Sequence, residues 1–160
     1  VMAYQKLQVG TGIPVIPSDT IDIPAVSGPA VDSTQTSVPP LGTVLVDTTQ
    51  DFTSIVGLVG STVVTNGGIA RVASITSATA LVLDASITDT GGTVLTYQIY
   101  VGATNPGCVL YVGNTGNLRV LTSSNADLTF VGIPAGSFVP VQVKRVFATN
   151  TTATDIIALW

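Results

Sequence analysis

The chain has 160 residues, with nine Asp against five Lys plus Arg, no Glu and no His, and only 9% of its residues are charged, against roughly 25% in a typical soluble domain. Without His there is no Ser-His-Asp or Cys-His catalysis and no His-based zinc site. The lone Cys108 can form neither an internal disulfide nor a multi-Cys metal site. Five scattered cations do not make the basic patch of a nucleic-acid binder. No stretch approaches the ~20 apolar residues of a spanning helix, so neither a nucleic-acid nor a membrane partner is expected. Residues 1–9 hold one Lys and no long apolar run, so no signal peptide is visible.

Val, Ile, Thr and Gly dominate, and strong helix formers are scarce. Residues branched at Cβ fit a pleated sheet. The expected fold is all-β: two small antiparallel β-sandwich or barrel modules preceded by an extended Pro-rich arm. With 46% hydrophobic residues and so few charges, part of the surface is expected to be covered by other subunits.

Residues 1–40 form the arm. It holds Pro14, Pro17, Pro24, Pro29, Pro39 and Pro40, which rule out a central strand or a helix. Short strand pieces are expected at Ile13 to Ile16 and Thr20 to Ile23, and the arm could add a strand to a partner's sheet edge. Part of it is expected to pair with the C-terminal module.

Residues 41–100 read as a compact β module, a small barrel or sandwich. Thr43 to Asp47 is a strand, Asp47 to Phe52 a turn anchored by Phe52, and Val56 to Val64 an apolar stretch. Asn66-Gly67-Gly68 signals a hairpin. Ile69 to Ile75 alternates, with Ile69, Arg71, Ala73 and Ile75 on one face. Ser77 to Thr79 turns into Leu81 to Leu83, a strand ended by Asp84. Asp89 to Gly92 turns into Thr93 to Val101.

Residues 101–160 read as a second β module. Its expected strands are Cys108 to Val112, Asn117 to Thr122, Asp127 to Ile133, Phe138 to Thr149 and Asp155 to Trp160. Turns at 114–116, 123–126, 134–136 and 150–152 separate them.

No constellation of catalytic or metal-binding groups emerges. Asp19, Asp22 and Asp32 lack the spacing of a calcium loop, and Asp19 is read as a turn cap. Asp47 with Asp51, and Asp84 with Asp89, sit at turns where Asp bonds the local backbone, without neighbours to tune a glycosidase pair. Cys108 reads as a buried apolar residue. No enzyme activity, cofactor or metal is expected.

The C-terminal module carries an ordered series: Leu110-Tyr111-Val112-Gly113, Gly116 to Val120, Leu128-Thr129-Phe130, Ile133 to Phe138, Pro140 to Val146, and Thr151 to Trp160. Together with Ile16-Pro17-Ser18-Asp19-Thr20, this series resembles small virion structural proteins of tailed bacteriophages. It is also similar to spike-base proteins of phage-like gene transfer agents. The resemblance implies a capsid decoration or cement protein on the outer capsid surface, made in the host cytoplasm. Its implied partners are the major capsid protein and further copies of itself, as a homotrimer. A tail or spike-base component that anchors a fibre or binds a host glycan is the alternative, with Tyr97, Tyr100, Tyr111 and Trp160 as its aromatic candidates. A host-encoded adhesion module is a third reading. The candidate interface residues are Arg119, Lys144, Arg145, Tyr111, Phe138 and Trp160. The three cations are expected either to meet carboxylates of a capsid or neighbouring subunit or to be solvated. Trp160 is expected to pack in a core or an interface.

Overall fold

The computed structural model describes residues 10–24, 29–33, 42–65, 67–87, 96–101 and 105–160. Its strands in chain order are β1 (Gly12–Pro14), β2 (Val31–Ser33), β3 (Gly42–Val46), β4 (Thr62–Thr65), β5 (Gly68–Ser77), β6 (Ala80–Ile87), β7 (Tyr97–Tyr100), β8 (Cys108–Asn114), β9 (Gly116–Thr122), β10 (Asp127–Ile133), β11 (Ser137–Val146) and β12 (Thr154–Leu159). The fold is all-β, with two antiparallel six-stranded sheets. The chain divides into two units, one of Val1–Val26 with Pro106–Trp160 and one of Ser27–Asn105.

The first unit orders its strands β1-β12-β8-β11-β9-β10. Alternation along β8 buries Cys108, Leu110 and Val112, and alternation along β9 buries Leu118 and Val120. The long β11 pairs with β8 through Ser137, Phe138 and Val139, and with β9 from Val143 onward. Register shifts on either side of Val143 bend it, so the sheet folds over itself and the two apolar faces meet. The expected alternation holds through Val139, Val141 and Val143 and breaks at the shift before Arg145, so that Val146 enters the core instead. Where the fold closes, the N–H groups of Thr152 and Ala153 both donate to the Asn117 carbonyl. Gly116 permits this approach, because a Cβ there would lie 2.3 Å from the Ala153 nitrogen.

The arm is divided between the two units. Gly12–Pro14 pairs with β12 of its own chain, and Pro14 sits on an edge strand, where its missing N–H costs nothing. Thr20 to Ile23 is not a strand. Its backbone bond to β11 runs from the Ile23 N–H to the Lys144 carbonyl. Val31–Ser33 joins the other unit by pairing with β7. Pro39 and Pro40 lie outside the described residues.

The second unit orders its strands β2-β7-β4-β5-β6-β3. Pairing of Thr65 with Gly68 and of Ser77 with Ala80 sets two successive tight hairpins; Asn66 itself lies outside the described residues. The core gathers Leu45, Phe52, Leu58, Val63, Val72, Leu81, Leu83, Ile87, Tyr97 and Ile99. Laid flat, β3 and β7 would stand about 19 Å apart, four strand spacings. Yet the Tyr97 hydroxyl donates to Asp47 Oδ2 at 2.6 Å, so the sheet is strongly curled. Phe52 and Leu58, on the β3–β4 connection, plug this curl.

The apolar stretch from Val56 to Val64 is mostly loop until Thr62–Thr65, with Leu58 turned inward and Val56 and Val59 exposed. Two expectations for this unit change. Ile75 packs on the core side with Val72, not with Arg71, because a register shift between Val72 and Ser74 inverts the alternation. The strand containing Asp84 runs on to Ile87, and Asp84 Oδ1 accepts from the Arg71 N–H instead of capping a turn. The turn at Asp89 to Gly92 and the start of the strand expected at Thr93 lie outside the described residues.

Two substitutions test this packing. Gly116→Ala is expected to lower the stability of the first unit by about 1–3 kcal/mol, read from urea unfolding followed by Trp160 fluorescence. Tyr97→Phe removes a donor from buried Asp47 and is expected to cost about 1–3 kcal/mol, read by circular dichroism. An unchanged midpoint in either case contradicts the corresponding contact.

Candidate interaction surface

The six candidate residues fall into two groups on the first unit. One is a ring-and-charge cluster beside β9 and β11. Arg119 projects from β9 and forms a bidentate pair with Asp127 at the start of β10, with Nε to Oδ1 at 3.0 Å and Nη2 to Oδ2 at 2.6 Å. Its guanidinium carbon lies 4.3 Å from the Phe147 ring centre, and that of Arg145 lies 5.8 Å away. Arg145 donates from Nε to Asp22 Oδ1 at 2.6 Å and from Nη1 to the Asp19 carbonyl. Asp19 in turn accepts from the N–H and the hydroxyl of Thr149. The turn that Asp19 caps is therefore distant in sequence, while Ser18 caps the local one.

Both arginines are thus already engaged by carboxylates of this chain, not left open to a neighbour's. Lys144 reaches the Asn125 side-chain oxygen. The cluster latches residues 18–23 onto β11 and the turn after it.

Hydrogen bonds set the ionisation here. The Thr149 N–H and hydroxyl hold the Asp19 carboxyl below its ordinary value of 3.8. The Arg119 hydrogen bond does the same for Asp127 and raises Arg119 itself. The groups are exposed, so each bond is weak.

The second group lies on the outer face of the sheet. Ile157 stands opposite Pro14 on one side and Tyr111 on the other, and Tyr111 stands opposite Phe138. Directly opposed residues share a face, so Pro14, Ile157, Tyr111 and Phe138 form a row across β1, β12, β8 and β11. The Tyr111 and Phe138 rings meet edge to face, with centroids 5.4 Å apart. Phe138 is 57% exposed and Ile157 is 37% exposed. A second row follows: Leu159 stands opposite Val109 and Gly12, and it lies over the glycine, where a Cβ would come within 2.8 Å of Leu159 Cδ2. Trp160, at the end of β12, is half-buried, and its backbone N–H donates to the Thr11 carbonyl.

Of the aromatic residues considered for a glycan, Tyr97 and Tyr100 are buried in the second unit; Tyr97 joins its core with Ile99, while Tyr100 lies on the other phase of β7. Asp47 and Asp51 bond the local residues Thr49 and Thr53. Cys108 is buried. Among the described residues, no group of three or more His, Cys, Asp or Glu is placed to hold a metal ion.

The sequence does not single out Phe147 or Asp127, and it brings Asp22 forward only with Asp19 and Asp32, not as a partner of Arg145. Asp127 had a signal, since the hairpin turn at 123–126 puts it diagonal to Arg119. Asp22 had none.

No protein-family model matches the chain, and neither the curated proteins nor the solved structures contain a match to it.

Because Asp19 and Asp127 bind protons less readily folded than unfolded, their contribution is complete above the ordinary carboxylate value. It is lost as pH falls through their lower folded values. The thermal midpoint of the first unit is expected to drop between about pH 5 and pH 2, and Asp127→Asn to flatten part of that slope. A flat wild-type profile contradicts the latch.

Proposed function

We propose that this chain is a structural subunit of a tailed-phage virion that decorates and cements the capsid. It would sit on the outer capsid surface, with the major capsid protein and further copies of itself as partners, and carry out no catalysis. The observation that carries this reading is the exposed row of Pro14, Ile157, Tyr111 and Phe138. An apolar row on the outer face of a sheet, in a chain with so few charges, suits burial against another subunit. The sequence resemblance supplies the setting, and the trimeric state rests on that resemblance alone.

As a clamp, the chain would bridge neighbouring capsomers and oppose the pressure of packaged DNA. Each copy need add little, because many act together. The internal latch fits this role. With Arg119 and Arg145 satisfied within the chain, contact with a partner need not desolvate an unpaired cation.

Particles stripped of the protein are expected to release DNA at a lower temperature than decorated ones, and re-addition to restore the difference. Phe138→Asp should fold normally, since its side chain is exposed, and bind stripped particles at least about tenfold more weakly, the effect of losing an aromatic anchor. Equal DNA release with and without the protein contradicts cementing. Retention on tails but not on heads moves the assignment to a spike-base component.

A further inference from the structure

Strand β10 closes the sheet of the first unit. One of its sides pairs with β9, and among the described residues no strand pairs with the other. The Thr122 N–H donates to the Ala126 carbonyl, which makes 122 and 126 a hydrogen-bonded pair. Antiparallel alternation then makes 120 with 128 and 118 with 130 the next such pairs. The N–H and C=O groups of Asp127, Thr129 and Val131 therefore project from the open edge.

Other edges in the molecule are short: β1 and β2 have three residues each and β3 has five. The β10 edge has seven residues, none of them buried, with neither the Lys nor the Pro that commonly blunt an edge. Its inner side is also uncovered. Leu128 and Phe130 stand opposite the buried Val120 and Leu118, yet Leu128 is 40% exposed. The apolar face thus continues past the core, only partly covered by the described residues.

We propose that β10 pairs antiparallel with β10 of a second copy about a two-fold axis through Thr129. This register uses the whole segment from Asp127 to Val131, before the bend at Gly132, whose φ is +63°. It sets Leu128 against Phe130 of the second copy, Thr129 against its counterpart, and Asp127 against Val131 of the second copy. Aromatic–aliphatic and Thr–Thr pairs are favourable across strands. No like charges face each other. The two Asp127 carboxylates lie about four residues apart along the ladder, roughly 13 Å, and each keeps its own Arg119. Leu128 and Phe130 extend the inner apolar face across the axis. The contact rests on β10 alone and is independent of the capsid reading. Combined with a three-fold contact elsewhere, it would make a trimer of dimers.

Thr129→Cys tests the axis. Across a hydrogen-bonded pair the two Cα atoms lie about 5.5 Å apart, within the disulfide range of about 4.4–6.8 Å. Under copper–phenanthroline oxidation this variant is expected to give a covalent dimer on non-reducing gels, at least about tenfold more than Val131→Cys, whose cysteines the register holds apart. Buried Cys108 is common to both. Sedimentation of the wild type should show a concentration-dependent dimer, weakened at least about tenfold by Thr129→Pro. That substitution removes an edge N–H the chain's own ladder does not use. Equal cross-linking of the two cysteine variants, or a wild type that stays monomeric at about millimolar concentration, overturns the proposal whatever Thr129→Pro does to folding.

Discussion

The pairing of β1 with β12 is the contact on which the first unit depends. It joins Gly12–Pro14 to Ile157–Leu159, nearly the whole chain apart. The sheet edge cannot form before the last strand is present, and the latch at Asp19 and Asp22 waits for β11 and the turn after it. Loop closure grows only logarithmically with length, so the intervening unit, which buries its own core, adds little to that cost. In return the arm is tied twice, by strand pairing at one end and by Arg145 and Thr149 at the other. A segment unsuited to a central strand by its prolines becomes an ordered border.

Charge scarcity has a structural counterpart. Three of the five cations are arginines, and two of these close on carboxylates of the same unit around Phe147. The outer face of β12, β8 and β11 is then mostly neutral and apolar, with the acidic Asp155 side chain over Gly113 at its margin. A face of this kind carries little charge to repel a further copy. It also has little to offer a charged ligand. Composition and geometry thus favour broad contact over chemistry at a point.

Much of the fold was legible because hairpins leave strong local marks. The β10 bounds and the hairpin signalled at 66–68 follow from turn residues and alternation alone. Ile75 did not, because the register shift after Val72 exchanges the faces of β5 and nothing in the alternating pattern marks it. The stretch from Val56 showed only its apolar character; Gly57 and Gly60, both at positive φ, make its first part a loop anchored by buried Leu58. The outer row was legible only in part. Tyr111 and Phe138 stood out as residues, but their alignment with Ile157 and Pro14 is a matter of register between distant strands. The tie of Asp22 to Arg145 is likewise tertiary, set by where the arm crosses β11.

The central claim is that the Pro14, Ile157, Tyr111 and Phe138 row exists to be covered by another virion subunit. An electron cryo-microscopy reconstruction of the assembled particle, resolved well enough to place this chain, tests it most directly. The account predicts the chain on the outer shell, spanning capsomer joints, with that row buried against a neighbour. Copies whose row faces solvent throughout the particle, or a particle that holds no copy of the chain, would contradict it.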